Sequence, residues 1–177
     1  MKVAYIKERA FLAMVLSSIE VYKHETLGLL LGYKGGNEFI VEYAIPFQTS
    51  IKGYSWVSPK PTISERIKEL VKNLPVQVIG DFHSHTEFGE HKAVPIPSGD
   101  DIADMEKGNI YIIVAVNDKE KDEKWGYGKN GEISGTLGDY HLSIAAATLK
   151  GSYSYERVKI VCPSATGISY KKGESED

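Results

Sequence analysis

Two histidines and an aspartate near the middle of the chain have the types and spacing of a metal site. His83 and His85 are separated by one residue, and Asp101 follows after a loop-like stretch. Side chains at i and i+2 of an extended strand project from the same face, so both imidazoles can converge on one ion. A carboxylate then completes three protein ligands and leaves a fourth tetrahedral position open, which is the arrangement of catalytic rather than structural zinc.

Each part of this pattern also has an interpretation without a metal. The segment Ser98-Gly99-Asp100-Asp101 is typical of a helix start, with Ser98 as the N-cap and Asp101 satisfying first-turn amides. A pair of exposed histidines can arise by chance, and Glu25 can end the first helix and face solvent. The joint pattern favours the metal site, and capping is compatible with it, because the cap positions the helix while side chains face the ion. Asp100 is the alternative third ligand.

Together these motifs resemble the signature of the JAMM metalloprotease family, also called MPN-plus or JAB1/MPN/Mov34. That signature is a remote glutamate followed by His-x-His, a spacer and Ser-x-x-Asp. Here Glu25 precedes a glycine-bounded apolar segment, and His83-x-His85 and Ser98-x-x-Asp101 supply the remaining parts. The similarity runs from the first residue to about residue 130, and the prokaryotic, stand-alone type of the domain is the form it resembles.

The resemblance implies a fold, a cofactor and a role for each residue. The implied fold is α/β of the α+β type, with a mixed, mostly antiparallel central sheet flanked by helices in a cytidine-deaminase-like architecture. One zinc ion per chain is expected to be held by His83, His85 and Asp101. Glu25 is expected to be the general base, since it lies outside the ligand set. Ser98 is expected to donate a hydrogen bond to the oxyanion of the tetrahedral intermediate.

Two classes of function are compatible with this resemblance. The first is a zinc isopeptidase that removes ubiquitin or a ubiquitin-like modifier from lysine, or processes the tail of a small modifier or sulfur-carrier protein. The second is a metal-free scaffold or interaction subunit of the same fold, against which the intact ligand set argues. A DNA-repair-associated relative with the same metal motif is a third alternative, but the asparagine usual between its histidines is replaced here by Ser84.

The stretch between His85 and Ser98 departs from the family pattern. It holds twelve residues, 86–97, about five more than the usual spacer, and Thr86 stands where proline is usual. One glycine and two prolines indicate a loop, whose extra length costs little closure entropy. We expect this insertion to be a mobile loop beside the cleft that acts on substrate choice rather than on metal binding, with the modifier tail pairing alongside it as an added strand.

Side chains of the insertion fall into two groups with different expected roles. The apolar group is a candidate for contact with the modifier tail, and it consists of Phe88, Val94 and Ile96. The polar group can contact metal or substrate but is expected to be solvated, and it consists of Glu87, Glu90 and His91.

Composition indicates an ordinary soluble domain. With 177 residues and 42% hydrophobic content, the chain fits one domain, 1–170, with a polar and disordered tail at 171–177. The 21 basic and 24 acidic residues give a net charge of −3, which argues against nucleic acid as a partner. The single cysteine, Cys162, excludes a disulfide framework and fits the cytoplasm. No segment reaches the roughly twenty apolar residues of a membrane span.

Hydrophobic periodicity predicts the elements that position the motifs. A strand before the two histidines delivers them at its end, and a near-continuous apolar run after Asp101 suits a buried central strand. The predicted helices cover about 8–23, 61–74 and the residues after Ser98, and the predicted strands cover about 27–33, 38–45, 76–82, 110–116, 124–129, 132–137 and, with a helix left open, 140–149.

Overall fold

In a computed structural model, the chain forms a mixed α+β domain with many strands and few helices. The structure describes residues 1–48, 50–52, 57–59 and 61–168, and for 50–52, 57–59 and 61–64 it describes the backbone alone. The helices are α1 (Glu8–Glu20), α2 (Pro61–Val71), α3 (Gly99–Asp104) and α4 (Pro163–Thr166). The strands are β1 (Val3–Ile6), β2 (Leu27–Gly35), β3 (Glu38–Pro46), β4 (Ser50–Lys52), β5 (Val57–Pro59), β6 (Gln77–Thr86), β7 (Ile110–Asp118), β8 (Gly126–Tyr127), β9 (Ile133–Leu137), β10 (Tyr140–Gly151) and β11 (Ser154–Val161).

Nine of these strands form one sheet, in the order β11-β1-β3-β2-β6-β7-β10-β9-β8, and β11 also pairs with β10. The pairs β1–β11, β1–β3 and β6–β7 are parallel. The remaining pairs of this sheet are antiparallel. The expected mixed and mostly antiparallel central sheet is therefore confirmed.

Strand β7 is buried along nearly its whole length, because both faces of the sheet are covered there. Every residue from Ile110 to Asn117 is buried, which is the pattern expected of a central strand. On one face, α1 packs its apolar side onto the sheet, and Phe11 meets Trp125 edge-on with ring centroids 5.2 Å apart. The other face carries the histidines of β6.

Strand β6 contains a register shift that decides which side chains share a face. Leu30 of β2 pairs with Gly80, but the next residue pairs with Val78, so one extra residue of β6 is accommodated between them. Gly80 has a φ of +155°, and a Cβ there would lie 1.7 Å from the carbonyl oxygen of Ile110. Because no side chain fits in that space, a glycine is required at this bulge. Beyond it, Phe82 packs in the main hydrophobic core.

Helix α1 ends earlier than the periodicity predicts. Its last residue is Glu20, not a residue near 23, because the chain turns through backbone hydrogen bonds from Tyr22 to Ile19 and from His24 to Val21. Lys23 adopts a φ of +76° within this turn. Glu25 therefore lies in the connection to β2 rather than at the end of the helix.

Several other predicted boundaries change. Strand β6 extends through both histidines instead of ending before them, and the strand expected at 124–129 is reduced to Gly126–Tyr127. The ambiguous segment 140–149 is a strand, β10. The tail 171–177 lies outside the described residues. None of the helices in the described part of the chain has the length and apolar character needed to span a bilayer.

Candidate metal centre

Three side chains from two neighbouring elements converge at the end of β6. His83 Nε2 and His85 Nε2 lie 3.0 Å apart. One carboxylate oxygen of Asp101 lies 3.3 Å from His83 Nε2, and the other lies 3.5 Å from His85 Nε2. The three possible ligand atoms all lie within 4.8 Å of one another, which is close enough for them to hold one ion. This is the group of histidine, cysteine and acidic side chains with such spacing among the described residues. The predicted trio is thus brought together, and Asp100 stays outside it.

The start of α3 holds Asp101 through a capping box. The Ser98 side-chain oxygen accepts a hydrogen bond from the Asp101 backbone N–H at 3.1 Å, and the Asp101 carboxylate accepts one from the Ser98 backbone N–H at 2.7 Å. This reciprocal arrangement fixes the carboxylate at the helix N-terminus. Ser98 uses its oxygen as an acceptor in the cap, so its hydroxyl hydrogen stays available for donation.

The ionisation of the site reflects the convergence of opposite charges. Burial acts to raise the pKa of Asp101, but hydrogen bonds from His83 and His85 outweigh it and lower the pKa well below its ordinary value. Burial acts to lower the pKa of His85, yet the hydrogen bonds to Asp101 and to the Val94 carbonyl raise it on balance. A strongly acidic carboxylate beside two imidazoles is a good ligand set for a divalent cation.

Glu25 lies beside the trio but does not belong to it. Burial raises the pKa of Glu25, and the nearby charges of His85 and His83 oppose the rise. These charge interactions show that Glu25 lies near the three side chains, and its role as the general base stays a prediction. A carboxylate whose pKa is raised toward neutrality is suited to accept and return a proton.

The insertion reaches back to the site and contacts one of the imidazoles. His85 Nδ1 lies 2.9 Å from the backbone carbonyl oxygen of Val94. Because a carbonyl only accepts hydrogen bonds, Nδ1 is the donor in this contact, and Nε2 is the ring nitrogen that faces the other two side chains. Carbonyl contacts of this kind orient metal-binding histidines in proteins. This contact with His85 differs from the expectation that the insertion acts separately from metal binding.

Glu87 anchors the start of the insertion and is buried, so the expectation that it is solvated is wrong. Its carboxylate accepts hydrogen bonds from Tyr22 Oη at 2.8 Å, Lys23 Nζ at 3.0 Å and Lys92 Nζ at 3.2 Å. The backbone N–H of Asp118 donates a fourth at 3.3 Å. Burial acts to raise the pKa of Glu87, but these donors lower it to about 2.

The tip of the insertion forms a tight turn. The backbones of Phe88 and His91 exchange two hydrogen bonds of 3.0 Å, with Gly89 at a φ of +58° between them. Glu90 and His91 are exposed, as expected. Further along, Asn117 Oδ1 accepts from the Ala93 N–H at 2.7 Å, and its amide group donates to the Ala93 carbonyl at 3.1 Å. The insertion is therefore anchored at Glu87 and again at Ala93, unlike a freely mobile loop.

Three apolar side chains of the insertion face solvent. Phe88 is 74% exposed, Val94 52% and Ile96 42%. Exposed apolar groups beside a site are available for contact with a substrate. Their role as substrate contacts stays a prediction.

Sequence reasoning missed several groups that surround the ligands. Asp81, two residues before His83, has its pKa raised to about 7 by burial, against the opposing charge of His83. Asn117 is a buried polar residue at the end of an otherwise apolar strand, which is a signal that could have singled it out. Tyr22 and Lys23 follow α1 and carry no such signal. The contact with Glu87 spans more than sixty residues.

The fold is of the α+β class, and the site groups two histidines and an aspartate closely enough to hold a metal ion. Residues 7–126 match the model of the family described as prokaryotic homologs of the JAB domain. The chain belongs to that family, and the resemblance inferred from its motifs is confirmed. No curated protein matches the chain.

Solved structures share the fold. The solution structure of protein DSY2949 from Desulfitobacterium hafniense superposes with a TM-score of 0.64 and 16% sequence identity, covering 90% of this chain and 92% of that one.

Proposed function

We propose that this chain is a zinc-dependent metalloprotease that hydrolyses isopeptide or peptide bonds after ubiquitin-like modifier proteins. The observation that carries the proposal is the convergence of His83, His85 and Asp101, with Glu25 beside them. Membership of a JAB-domain family supports it. The cytidine-deaminase-like architecture and a stoichiometry of one zinc per chain belong to the same proposal.

The donor set fits zinc. Two imidazole nitrogens and one carboxylate are the ligands of many catalytic zinc sites, and three protein ligands leave a position open. When bound, zinc supplies a positive charge that polarises the scissile carbonyl and lowers the pKa of water from about 15.7 toward 7. Val94 presents a carbonyl that keeps the proton of His85 on Nδ1, which leaves Nε2 as the ligand atom.

Glu25 moves the protons of the reaction in this proposal. Water oxygen adds to the carbonyl carbon of the amide while one water proton passes to the Glu25 carboxylate. The carbon–nitrogen bond then breaks, and Glu25 returns that proton to the leaving amine nitrogen. Because burial raises the pKa of Glu25, its carboxyl group exchanges protons nearer neutral pH than an ordinary glutamate does.

Ser98 and the insertion complete the proposed site. The hydroxyl of Ser98 donates to the oxyanion, since its oxygen serves the cap only as an acceptor. Phe88, Val94 and Ile96 contact the extended tail of the modifier. We also propose the cytoplasm as the location, because Cys162 is a buried free thiol that fits a reducing compartment.

Metal analysis combined with hydrolysis of modifier conjugates tests the proposal. The purified chain should hold one zinc and cleave isopeptide-linked modifier chains. His83→Ala should lose both properties, whereas Glu25→Gln should keep the metal and lose most turnover. Glu90→Gln, at an exposed position of the insertion, is the matched control and should behave as the parent. A parent that neither holds zinc nor hydrolyses conjugates would identify a metal-free scaffold instead.

A further inference from the structure

We propose that Asn117 is a positioning residue of the metal centre, which acts through the backbone of the insertion on the imidazole of His85. The inference rests on the proposed zinc site and adds to it a residue from another strand. Within the described residues, the side-chain amide of Asn117 bonds to the backbone of Ala93. Its effect passes through Ala93 and the carbonyl of Val94.

Val94 contacts the ring of His85 on the side away from the other two ligands. The Nδ1 atom of His85 faces the Val94 carbonyl at 2.9 Å, while its Nε2 atom faces His83 and Asp101. The carbonyl accepts a hydrogen bond from Nδ1 and thereby fixes the plane of the ring. Without this contact, the ring can rotate, and Nε2 is directed less well at a bound ion.

The Val94 carbonyl is held in position through the residue before it. Val94 lies in an irregular segment and its side chain is half-exposed, so neither a strand nor core packing fixes its backbone. The preceding residue, Ala93, is held at both its N–H and its carbonyl by the amide of Asn117, with distances of 2.7 and 3.1 Å. This double hydrogen bond fixes the peptide plane next to Val94.

Asn117 lies on β7, a strand that is buried along nearly its whole length. Strand β7 runs parallel to β6, and Ala115 lies beside His85 in the register. Asn117 is two residues further along the same face and is only 7% exposed. One buried strand therefore supports both the imidazole and the loop that orients it.

Nuclear magnetic resonance of the parent protein tests the contact between His85 and Val94 without any variant. Long-range proton–nitrogen spectra of the metal-free protein report whether Nδ1 of His85 carries a proton, and solvent exchange reports whether that proton is hydrogen-bonded. His85 should carry a proton on Nδ1 that exchanges slowly with solvent, whereas the ring protons of the exposed His91 should exchange rapidly. A His85 ring without a proton on Nδ1, or with one that exchanges as rapidly as those of His91, overturns the inference.

Asn117→Leu tests the role of the amide, since leucine has similar volume and forms neither hydrogen bond. Zinc affinity, measured by competition with a chromogenic chelator far below the unfolding temperature, should fall about 10- to 100-fold. The Nδ1 proton of His85 in the metal-free variant should exchange with solvent faster than in the parent. Parent-like affinity together with parent-like exchange in the folded variant overturns the inference.

Thr136→Val is the matched control for loss of stability. Thr136 is also buried and also holds a loop at two points, accepting from the Glu123 N–H at 2.9 Å and donating to the Lys121 carbonyl at 3.3 Å. That loop does not touch His85, so the control should lower the melting temperature without changing zinc affinity. An equal loss of affinity in both variants assigns Asn117 a purely structural role and overturns the inference.

These readouts separate the inference from the proposed function. Absence of conjugate hydrolysis in a parent that binds zinc contradicts the proposed function alone. The exchange measurement uses metal-free protein, so it decides the role of the Val94 carbonyl whether or not hydrolysis is found.

Discussion

Glu87→Gln should destabilise the protein by removing a buried negative charge from a group of four donors. Tyr22, Lys23 and Lys92 donate from side chains, and Asp118 donates from its backbone. Glutamine keeps one acceptor oxygen, but its NH₂ group places two N–H donors where the surrounding groups are also donors. Lys23 and Lys92 each lose one ionic partner and keep a more exposed one, Asp118 and Glu120 respectively. The start of the insertion also loses its anchor.

The magnitude follows from the pKa of Glu87. A shift from the ordinary 4.5 to about 2 corresponds to about 3 kcal/mol of preference for the ionised form in the folded state. The side chains of Lys23 and Lys92 are 56% and 49% exposed, so solvent screening reduces this to about 2 kcal/mol. Because the folded pKa lies below the unfolded one, the contribution is complete above about pH 5. It declines as the pH falls toward 2.

Urea unfolding with a chelator present measures the prediction. Glu87→Gln should lower the free energy of unfolding by about 2 kcal/mol at pH 7, and by less than half of that near pH 3. Glu90→Gln changes an exposed residue of the same insertion and should stay within about 0.5 kcal/mol of the parent at both values. A difference that is the same at both pH values, or negligible at pH 7, would refute the role of the charge.

Three further predictions concern the site and its surroundings. Ser98→Ala should keep zinc but lower turnover about 10²- to 10³-fold. The lost N-cap should lower the free energy of unfolding by only roughly 1 kcal/mol, so a change confined to the melting temperature would leave Ser98 with the capping role alone. Asp81→Asn should stabilise metal-free protein at pH 7 by about 2 to 4 kcal/mol. Burial raises the pKa of Asp81 to about 7, so stability of the parent falls as the pH rises from about 4 to 7, and in urea unfolding the gain should vanish below that window. A chelator should abolish hydrolysis, whereas a thiol reagent that leaves the fold intact should not, because Cys162 is fully buried; inactivation by the reagent would indicate different chemistry.

Local spacing was sufficient to predict which three side chains converge as candidate metal ligands. His83 and His85 share a face because their spacing matches the strand repeat, and Asp101 rather than Asp100 occupies the third ligand position of the motif. The apolar run starting at Ile110 predicted the central strand for the same reason, since burial on both faces leaves no alternation.

Contacts between distant segments could not be predicted from spacing. Glu87 follows a strand and precedes a glycine, which is the composition of a solvated loop, and its burial depends on Tyr22 and Lys23 more than sixty residues away. The side chain of Asn117 bonds to the backbone N–H and carbonyl of Ala93, which lies in an irregular segment 24 residues earlier in the chain. The short β1 and its parallel pairing with β11 escaped prediction for the same reason.

The bulge at Gly80 decides whether the odd-numbered or the even-numbered residues of β6 face the core. Before the bulge, Ile79 belongs to the core; after it, Phe82 does, so the inward set changes from odd to even residue numbers. His83 and His85 are odd-numbered, and without the change they would point into the hydrophobic core. Removing one residue at the bulge would turn the rest of β6 over, so that the ring of Phe82 would be exposed and the imidazoles of His83 and His85 would be buried. The single extra residue of the bulge therefore places the polar side chains of the strand on the face where a site can form.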